Sequence, residues 1–276
     1  LRKLDRQVEV ELTRGVGHAT ALAAQAVRER YPLVVAAGGD GTLNEVLQPL
    51  VGTGVGLGVL ALGTVNLWAR ETCAPANPEA LAELLDRGPF RWVDVGQAGS
   101  RYFLLMAGLG FDAAVVAGLS TALKRRLGRA AYALAAARLA PFYRGSRIRL
   151  RLDGHEERMT ALLVLVSNTR RYGGNWQAIP HAVADDGLLD VLVIRGERFW
   201  AGVPQVGALL GGARRRYAVF QKRAAEIVVE AERMLPMQVD GDGAGLPAAT
   251  RIVTVPRALR VLVAENPYGL FGAFDE

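Results

Sequence analysis

Residues 33–45 read Leu33-Val34-Val35-Ala36-Ala37-Gly38-Gly39-Asp40-Gly41-Thr42-Leu43-Asn44-Glu45 and combine a strand, a glycine turn and a helix start. The first five residues are apolar, which favours a buried strand. Three glycines in four positions let the backbone turn sharply and leave its N–H groups open to a ligand. Thr42 and Glu45 have the spacing of a capping box, which predicts a helix from Thr42. Because a helix N-terminus attracts anions, the stretch predicts a phosphate site.

Asp40 lies inside this predicted phosphate site. A bare carboxylate there would repel phosphate, unless a Mg²⁺ ion or its bound waters lie between the two. The alternative interpretation is a tight strand-to-helix turn that carries an incidental aspartate.

A second polar loop, Gly63-Thr64-Val65-Asn66, follows another apolar run at residues 55–61. In a parallel sheet both loops would leave the same edge, where ligands bind. Thr64 and Asn66 carry groups that bond phosphate or a nucleotide base. A helix cap at Asn66 is the alternative interpretation.

The order of the predicted elements changes near residue 95. Before it, strands (8–12, 33–37, 55–61) alternate with helices (17–30, 42–50, 78–87), which predicts an α/β N-terminal domain with a parallel sheet over residues 1–95. After it, a mostly helical segment at 112–139, with a break suggested at Gly118 or Gly128, precedes many short strands, the last at 252–255 and 259–263. This pattern predicts a C-terminal antiparallel β-sandwich-like domain over residues 96–264. The last residues, 265–276, are expected to pack back on the first domain.

Composition excludes several classes of protein. The 276 residues are 51% apolar and 22% charged, which is typical of a globular chain. A single cysteine, Cys73, rules out an internal disulfide framework. The net charge of +6 favours anionic partners, although arginine-richness alone would also produce it. No signal peptide is visible, so a cytoplasmic protein is expected.

A third glycine motif, Gly108-Leu109-Gly110-Phe111-Asp112-Ala113, superficially matches the dinucleotide fingerprint. That fingerprint needs an acidic residue about 20 positions further on. No acidic residue occurs between Asp112 and Asp153, so the sequence argues against a nicotinamide site. The chain also lacks a P-loop motif.

Two further turns combine glycine with carboxylates: Asp185-Asp186-Gly187-Leu188 and Val239-Asp240-Gly241-Asp242-Gly243. The carboxylates of the second turn are suited to the roles of general base and metal ligand. For each turn taken alone, an ordinary hairpin turn is the competing account.

Taken in this order, the motifs resemble the diacylglycerol kinase catalytic domain of bacterial lipid kinases, a family that includes sphingosine and ceramide kinases. The glycine turn at Gly38 is shared with NAD kinases and phosphofructokinases. The motifs more specific to lipid kinases are Gly63–Asn66, Gly108–Ala113, Tyr172-Gly173-Gly174 and Asp186–Leu188. The resemblance implies an NAD-kinase-like fold, ATP and Mg²⁺ as cofactors, and transfer of the ATP γ-phosphoryl group to a lipid hydroxyl of diacylglycerol or sphingoid type.

The resemblance also assigns roles to residues. It implies that Asp242 or Asp240 accepts the hydroxyl proton and that Asp40 handles the catalytic Mg²⁺. It implies a structural Mg²⁺ at Asp186 with the carbonyl groups of Val183 and Leu188. The residues expected to hold the nucleotide are Thr13, Gly38, Gly39, Asp40, Gly41, Thr42, Asn44, Thr64 and Asn66.

The sequence departs from the family pattern in two ways. The usual opening strand and nucleotide loop do not occur in it, so the α/β domain is expected to be truncated at its N-terminus. Asp242 also stands where the family has Glu. Aspartate is one methylene shorter, and a misplacement of about 1 Å can cost about a hundredfold in rate. A catalytically weakened protein that binds lipid or nucleotide is therefore an alternative, as is an NAD kinase.

The expected partner is a lipid at a membrane surface. Residues 119–138 interleave Lys124, Arg125, Arg126 and Arg129 with apolar residues, and Arg214-Arg215-Arg216 extends this basic character. Such a basic amphipathic stretch suits an anionic bilayer and predicts peripheral membrane association, although an ordinary solvated helix is the competing interpretation. The sequence has no aromatic-rich basic strip of the kind that binds nucleic acid, so nucleic acid is not an expected partner. A homodimer is compatible with the sequence.

Overall fold

The computed structural model describes residues 8–119, 129–174, 176–211, 220–264 and 269–272. Its helices are α1 (His18–Arg28), α2 (Asp40–Leu50), α3 (Leu67–Thr72), α4 (Pro78–Arg87), α5 (Phe111–Ala117), α6 (Arg129–Leu139) and α7 (Phe199–Leu210). Its strands are β1 (Leu33–Gly38), β2 (Gly56–Ala61), β3 (Phe90–Ala98), β4 (Arg101–Phe103), β5 (Met106–Gly110), β6 (Ser146–Leu152), β7 (His155–Ser167), β8 (Arg171–Tyr172), β9 (Trp176–Gln177), β10 (Leu189–Arg195), β11 (Phe220–Ala224), β12 (Glu226–Ala231), β13 (Met237–Val239), β14 (Asp242–Gly243) and β15 (Ala249–Leu262).

The N-terminal lobe is built on parallel strands. Strand β1 pairs with β2 in register Leu33↔Gly56, and the end of β15 runs parallel to β2 on its other side. Helix α2 buries Leu43, Leu47 and Leu50 in the core of this lobe. Parallel strands direct their carboxyl ends to one edge, so the loops after β1 and β2 emerge together.

The C-terminal lobe is an antiparallel sheet with a second hydrophobic core. The sequence of strand β6 accounts for its orientation, because Ile148, Leu150 and Leu152 are buried while the arginines between them face solvent. This alternation has the period of two residues that a half-buried strand requires. The predicted fold class, an α/β lobe followed by a β-sandwich-like lobe, is confirmed.

One strand, β15, joins the two lobes. Its first half pairs with β12 in the C-terminal lobe, and its last residues pair with β2 in the N-terminal lobe. The sequence predicts two strands over the second half of β15, at 252–255 and 259–263. They are one strand with an irregularity between Val255 and Leu259, and Pro256 within it resembles a strand end. The boundary near residue 95 stays a prediction; it falls within β3, which pairs with β15 along both halves.

Two predicted elements need correction. Residues 8–12 form no strand, and Val10 and Leu12 are exposed because no neighbouring strand pairs with this segment. Helix α2 begins at Asp40 rather than Thr42, with Gly39 as its N-cap and no side-chain cap. The helical segment at 112–139 agrees with its prediction: α5 ends at Ala117, before the suggested break at Gly118, and α6 follows from Arg129. Residues 120–128 between them lie outside the described part of the chain.

Candidate active site

The two glycine loops touch at the carboxyl edge of the parallel strands. The N–H groups of Leu62 and Gly63 both donate to the carbonyl oxygen of Gly38, at 3.0 and 3.2 Å. A Cβ atom added to Gly63 would come within 2.4 Å of the Gly39 Cα atom. Only residues without side chains allow the two backbones to approach this closely, so the glycines are needed for the shape of the edge.

The half-buried carboxylate of Asp40 connects the first loop to helix α3. It accepts hydrogen bonds from the backbone N–H groups of Leu67 and Trp68, at 3.0 and 3.3 Å, and so caps the N-terminus of α3. Burial raises the pKa of the Asp40 carboxyl above its ordinary value, and these backbone hydrogen bonds oppose that rise. Asp40 therefore has a structural role in holding the two loops together.

Asn66 offers a second oxygen at the same edge. Its backbone is left-handed, with φ of 52°, and its side-chain amide donates to the Gly63 carbonyl at 2.8 Å. Its Oδ1 atom is buried and has no hydrogen-bond partner among the described residues. A carboxylate and an unsatisfied amide oxygen are hard ligands of the kind that Mg²⁺ takes. Asp40 and Asn66 therefore fit the chemistry of the predicted catalytic metal.

The remaining residues of the predicted nucleotide site lie around these loops. Gly41 and Thr64 are exposed. Thr13 and Thr42 both line an open groove of about 740 Å³ between α1, the outer edge of β1 and residues 8–13. The predicted capping partner of Thr42 is used elsewhere, because Glu45 accepts hydrogen bonds from the N–H groups of Gly17 and Ala19 at the start of α1.

Asn44 is buried at the junction of the two lobes, with only 2% of its surface exposed. Its side-chain amide donates to Asp240 Oδ2 at 2.9 Å and to the Tyr102 carbonyl at 3.3 Å. Its Oδ1 atom accepts from Arg101 at 3.2 Å. Asn44 therefore joins α2, which carries the glycine loop, to the acidic turn 196 residues away.

Asp240 is buried, and both of its oxygens are occupied. It accepts from Asn44 and from the backbone N–H groups of three consecutive residues, Leu104, Leu105 and Met106, at 2.8 to 3.1 Å. Burial raises the pKa of its carboxyl to about 6, although these hydrogen bonds act in the opposite direction. The observed contacts fix the lobe junction and leave no open face toward a substrate hydroxyl.

Asp242 has a different environment. Its side chain is 53% exposed, and its Oδ2 atom lies 3.9 Å from the Arg101 guanidinium. The turn that carries it is held by the N–H group of Gly241, which donates to Gln238 Oε1 at 2.7 Å. Asp242 is therefore the carboxylate of this turn that a proton from solvent or a ligand can reach.

A buried network behind the turn was missed by reasoning from the sequence. Gln238 also donates from Nε2 to Asp112 Oδ2 at 3.1 Å, and the Tyr172 hydroxyl bonds to the same carboxyl. Burial raises the pKa of Asp112 to about 6 and that of Tyr172 well above its ordinary value. The available signal was an aspartate within an otherwise apolar glycine motif, at the point where β5 meets α5.

The predicted structural metal site has contacts that do not suit a metal. The Asp186 carboxylate faces the guanidinium of Arg223 and accepts from the N–H group of Leu188 at 3.1 Å. Within the described ranges, no group of three His, Cys, Asp or Glu residues is arranged to hold a metal ion. A metal at Asp186, Val183 and Leu188 stays a prediction that this arrangement does not favour, because the arginine already supplies the positive charge.

An aromatic patch, formed by Phe142 and Trp200 with Arg144 and Arg198, faces solvent on the C-terminal lobe. Phe142 is 82% exposed and Trp200 is 62% exposed. The two segments meet at a β-bridge between Arg144 and Arg198. The predicted basic residues 124–126 and 214–216 lie outside the described part of the chain, as does the side chain of Arg129. Among the described helices, none combines the length and apolar character needed to cross a bilayer.

Comparison with known proteins agrees with this architecture. Residues 1–98 match the model of the diacylglycerol kinase catalytic domain, and residues 106–263 match that of the YegS C-terminal NAD kinase beta sandwich-like domain. A diacylglycerol kinase structure from Bacillus anthracis superimposes with a TM-score of 0.76 at 24% identity, covering 92% of this chain and 84% of that one. An NAD kinase from Archaeoglobus fulgidus, solved in complex with ATP, gives 0.56 at 18%, covering 97% and 88%. At these identities the likeness concerns the fold.

The sequence relatives are closer. A protein of Pseudomonas aeruginosa named "Probable lipid kinase YegS-like" is 35% identical over 96% of this chain and 88% of its own length. A protein of the same name from Pseudomonas putida is 34% identical over 94% and 87%. The chain therefore belongs to the family of YegS-like lipid kinases, whose N-terminal lobe is a diacylglycerol kinase catalytic domain.

Proposed function

We propose that this protein transfers the γ-phosphoryl group of ATP to a hydroxyl group of a lipid of diacylglycerol or sphingoid type. One observation carries the proposal: Asn44 and Arg101 connect helix α2, whose N-terminus follows the glycine loop, to the turn that carries the exposed Asp242. These two side chains link the helix whose N-terminus would bind the phosphates to an accessible carboxylate, a proximity that phosphoryl transfer to a hydroxyl requires.

The triphosphate binds on the glycine loops in this proposal. Backbone N–H groups at Gly39, Gly41 and Thr42 point from the start of α2, where the helix dipole favours negative charge. Thr64 is exposed beside them, and Thr13 lines the adjoining groove. The shared fold of the ATP-bound Archaeoglobus fulgidus NAD kinase supports ATP as the donor.

Asp40 and Asn66 would hold a Mg²⁺ ion at the same edge. Bound there, the ion would neutralise phosphate charge in a site that otherwise contains a carboxylate. The chain's own contribution is to fix these two oxygens through the α3 cap and the Gly63 carbonyl.

Asp242 acts as the general base. The lipid hydroxyl loses its proton to the Asp242 carboxylate, its oxygen forms a bond to the γ-phosphorus, and the bond to the bridging oxygen breaks to release ADP. Asp240 is a positioning residue, because its carboxylate is buried and bonded to four N–H donors.

The lipid partner lies in a membrane to which the protein binds peripherally at the cytoplasmic face. The aromatic patch supports this part of the proposal, since exposed Phe and Trp side chains beside arginines suit the interface of an anionic bilayer. Tyr143 and Phe199, which adjoin Phe142 and Trp200, both contact the Phe111 ring next to Asp112. The aromatic patch therefore lies next to the buried Asp112 network behind the acidic turn.

The test is phosphorylation with radiolabelled ATP, using diacylglycerol vesicles, sphingosine vesicles and NAD as separate acceptors. The expected result is label in a lipid. Label in NAD alone would establish the NAD kinase alternative. Vesicle and ATP binding without turnover on either lipid would instead favour a catalytically weakened binding protein, and Asp242→Glu would then test whether the shorter side chain is the cause.

A further inference from the structure

Arg101 occupies a position between the two halves of the proposed reaction. It begins β4 directly after the turn at Gly99, and it pairs with Ala98 of β3. Its guanidinium donates to Asn44 Oδ1 at 3.2 Å and lies 3.9 Å from Asp242 Oδ2. One nitrogen of this cation, Nη2, therefore lies between helix α2 and the exposed carboxylate.

Stability does not account for this placement. The side chains of Arg101 and Asp242 are 36% and 53% exposed, and an ion pair so open to water contributes little to folding. Asn44 is already anchored by its bonds to Asp240 and to the Tyr102 carbonyl. The guanidinium retains donors that these contacts do not use, since arginine has five N–H groups.

We propose that Arg101 binds the γ-phosphate of the nucleotide during transfer and orients Asp242 toward the acceptor hydroxyl. This inference rests on the proposed function, which places the phosphoryl group between the start of α2 and Asp242. The planar guanidinium matches the oxygens of a phosphate in a two-pronged hydrogen bond. Its charge offsets the repulsion between the phosphate and the carboxylates of Asp40 and Asp242.

The reaction balances without a change in Arg101. The hydroxyl proton moves to Asp242, the new bond joins the acceptor oxygen to the γ-phosphorus, and ADP carries away the electron pair of the broken bond. Arg101 takes no part in the transfer of the proton. Arg101 contributes its positive charge, which stabilises the phosphoryl group during transfer as a preorganised electrostatic partner.

The experiment compares ATP with ADP in calorimetric titrations of the full chain. Arg101→Met removes the charge and keeps most of the aliphatic length. A cation that contacts the γ-phosphate predicts about tenfold weaker ATP binding, with less than about a twofold change for ADP. Turnover on diacylglycerol vesicles should fall about a hundredfold, as on loss of one preorganised donor. Arg101→Lys should recover part of both losses, because it restores charge without the fork.

Arg158→Met is the matched control, since Arg158 is an exposed arginine of β7 paired with Glu156. It should leave both affinities and turnover unchanged. Equal weakening of ATP and ADP in Arg101→Met, or no change in either, would overturn the role of Arg101 while the proposed function stands. If the wild-type chain does not bind ATP, the proposed function fails and the inference fails with it. The lysine variant answers the same question if the methionine variant does not fold.

Discussion

Asp240 and Asp242 lie two residues apart in one turn and have opposite environments. Asp240 is buried and bonded to four N–H donors at the lobe junction. Asp242 is half exposed, with a guanidinium 3.9 Å away. The sequence offers two carboxylates of equal chemistry, and the resemblance to lipid kinases left the role of base open between them. The comparison shows that surroundings, rather than residue type, separate a buried structural carboxylate from an accessible one.

The backbone of the turn produces this difference. Asp240 has a positive φ of 48° and Gly241 one of 86°, so the chain reverses within two residues. Aspartate tolerates the left-handed region better than most residues, and its side chain here is held by backbone donors. After the reversal, β14 pairs Asp242 with Val239, and the Asp242 carboxylate lies beside Arg101.

The largest expected effect is the loss of the exposed carboxylate. Asp242→Asn removes the proposed proton acceptor and should lower kcat about a thousandfold, within the range for general-base catalysis. The free energy of unfolding should change by less than about 0.5 kcal/mol, because the side chain is exposed and weakly paired. Lipid phosphorylation and urea unfolding measure the two quantities.

Asp242→Glu serves as the control for that variant, because it restores a carboxylate and lengthens it. It should keep turnover on the same vesicles. Full activity in Asp242→Asn, with the fold intact by circular dichroism, would remove Asp242 from the mechanism and reopen the choice between the two aspartates.

The second expected effect is on the buried carboxylate, and it concerns stability. Asp240→Asn replaces two acceptor oxygens by one, so at least two of the four N–H donors lose their partner. The free energy of unfolding should fall by roughly 3 kcal/mol, since each buried unsatisfied group costs about 1 to 3 kcal/mol. Urea unfolding of Asp240→Asn beside Asp242→Asn checks this. Equal stability of the two variants would refute the proposed division of roles.

The third prediction uses pH to separate buried from exposed carboxylates. Asp112 has its pKa raised to about 6 by burial, and it faces Gln238 and the Tyr172 hydroxyl. A carboxyl whose pKa is higher in the folded state binds its proton more tightly there. Its contribution to stability is therefore present below about pH 4 and is lost as pH rises through about 6.

Asp112→Asn should remove this part of the pH dependence, on the order of 2 kcal/mol between pH 4 and pH 7. The free energy of unfolding of the variant should lie furthest below that of wild type at pH 4, and this difference should shrink toward pH 7. Urea unfolding at pH 4.5, 5.5 and 7 measures the difference. The control is Asp242→Asn, which removes an exposed carboxyl and leaves the buried ones in place. A constant offset across these pH values would contradict a raised pKa at Asp112.

The sequence predicted the features that depend on local pattern. The strand ending at Gly38, the two glycine loops at one edge and the change to a β-rich lobe all follow from hydrophobic period and glycine placement. The predicted burial of that strand is wrong, because β1 lies at the edge of the sheet and only Ala36 in it is fully buried. Strand β15 was predicted as two pieces because a Pro-containing irregularity resembles a break. Pairing on both sides with β3, β2 and β12 keeps it one strand.

Features that depend on distant partners could not be predicted. Thr42 and Glu45 have correct capping spacing, yet Glu45 bonds to the start of α1, 26 and 28 residues away. Asp40 caps α3 from 27 residues upstream. Arg101 carries no motif of its own, and only the folding of β4 against α2 brings it to Asn44. Capping and charge pairing are short-range forces, but the chain supplies their partners through the tertiary fold.

The smallest expected effect extends the comparison to a carboxylate that has arginine partners and is only partly buried. Glu230 lies on β12, with Arg149 at 3.2 Å and Arg151 in contact, and all three side chains are between 32% and 46% exposed. Water and salt screen such pairs, so Glu230→Gln should cost less than about 1 kcal/mol of unfolding free energy. That cost should vanish in 1 M NaCl, where the Debye length is about 3 Å. Urea unfolding at low and high salt, beside Asp240→Asn, separates the two cases: the Asp240 variant should stay destabilised in both. If Glu230→Gln matched Asp240→Asn, burial would not be what distinguishes the carboxylates of this protein.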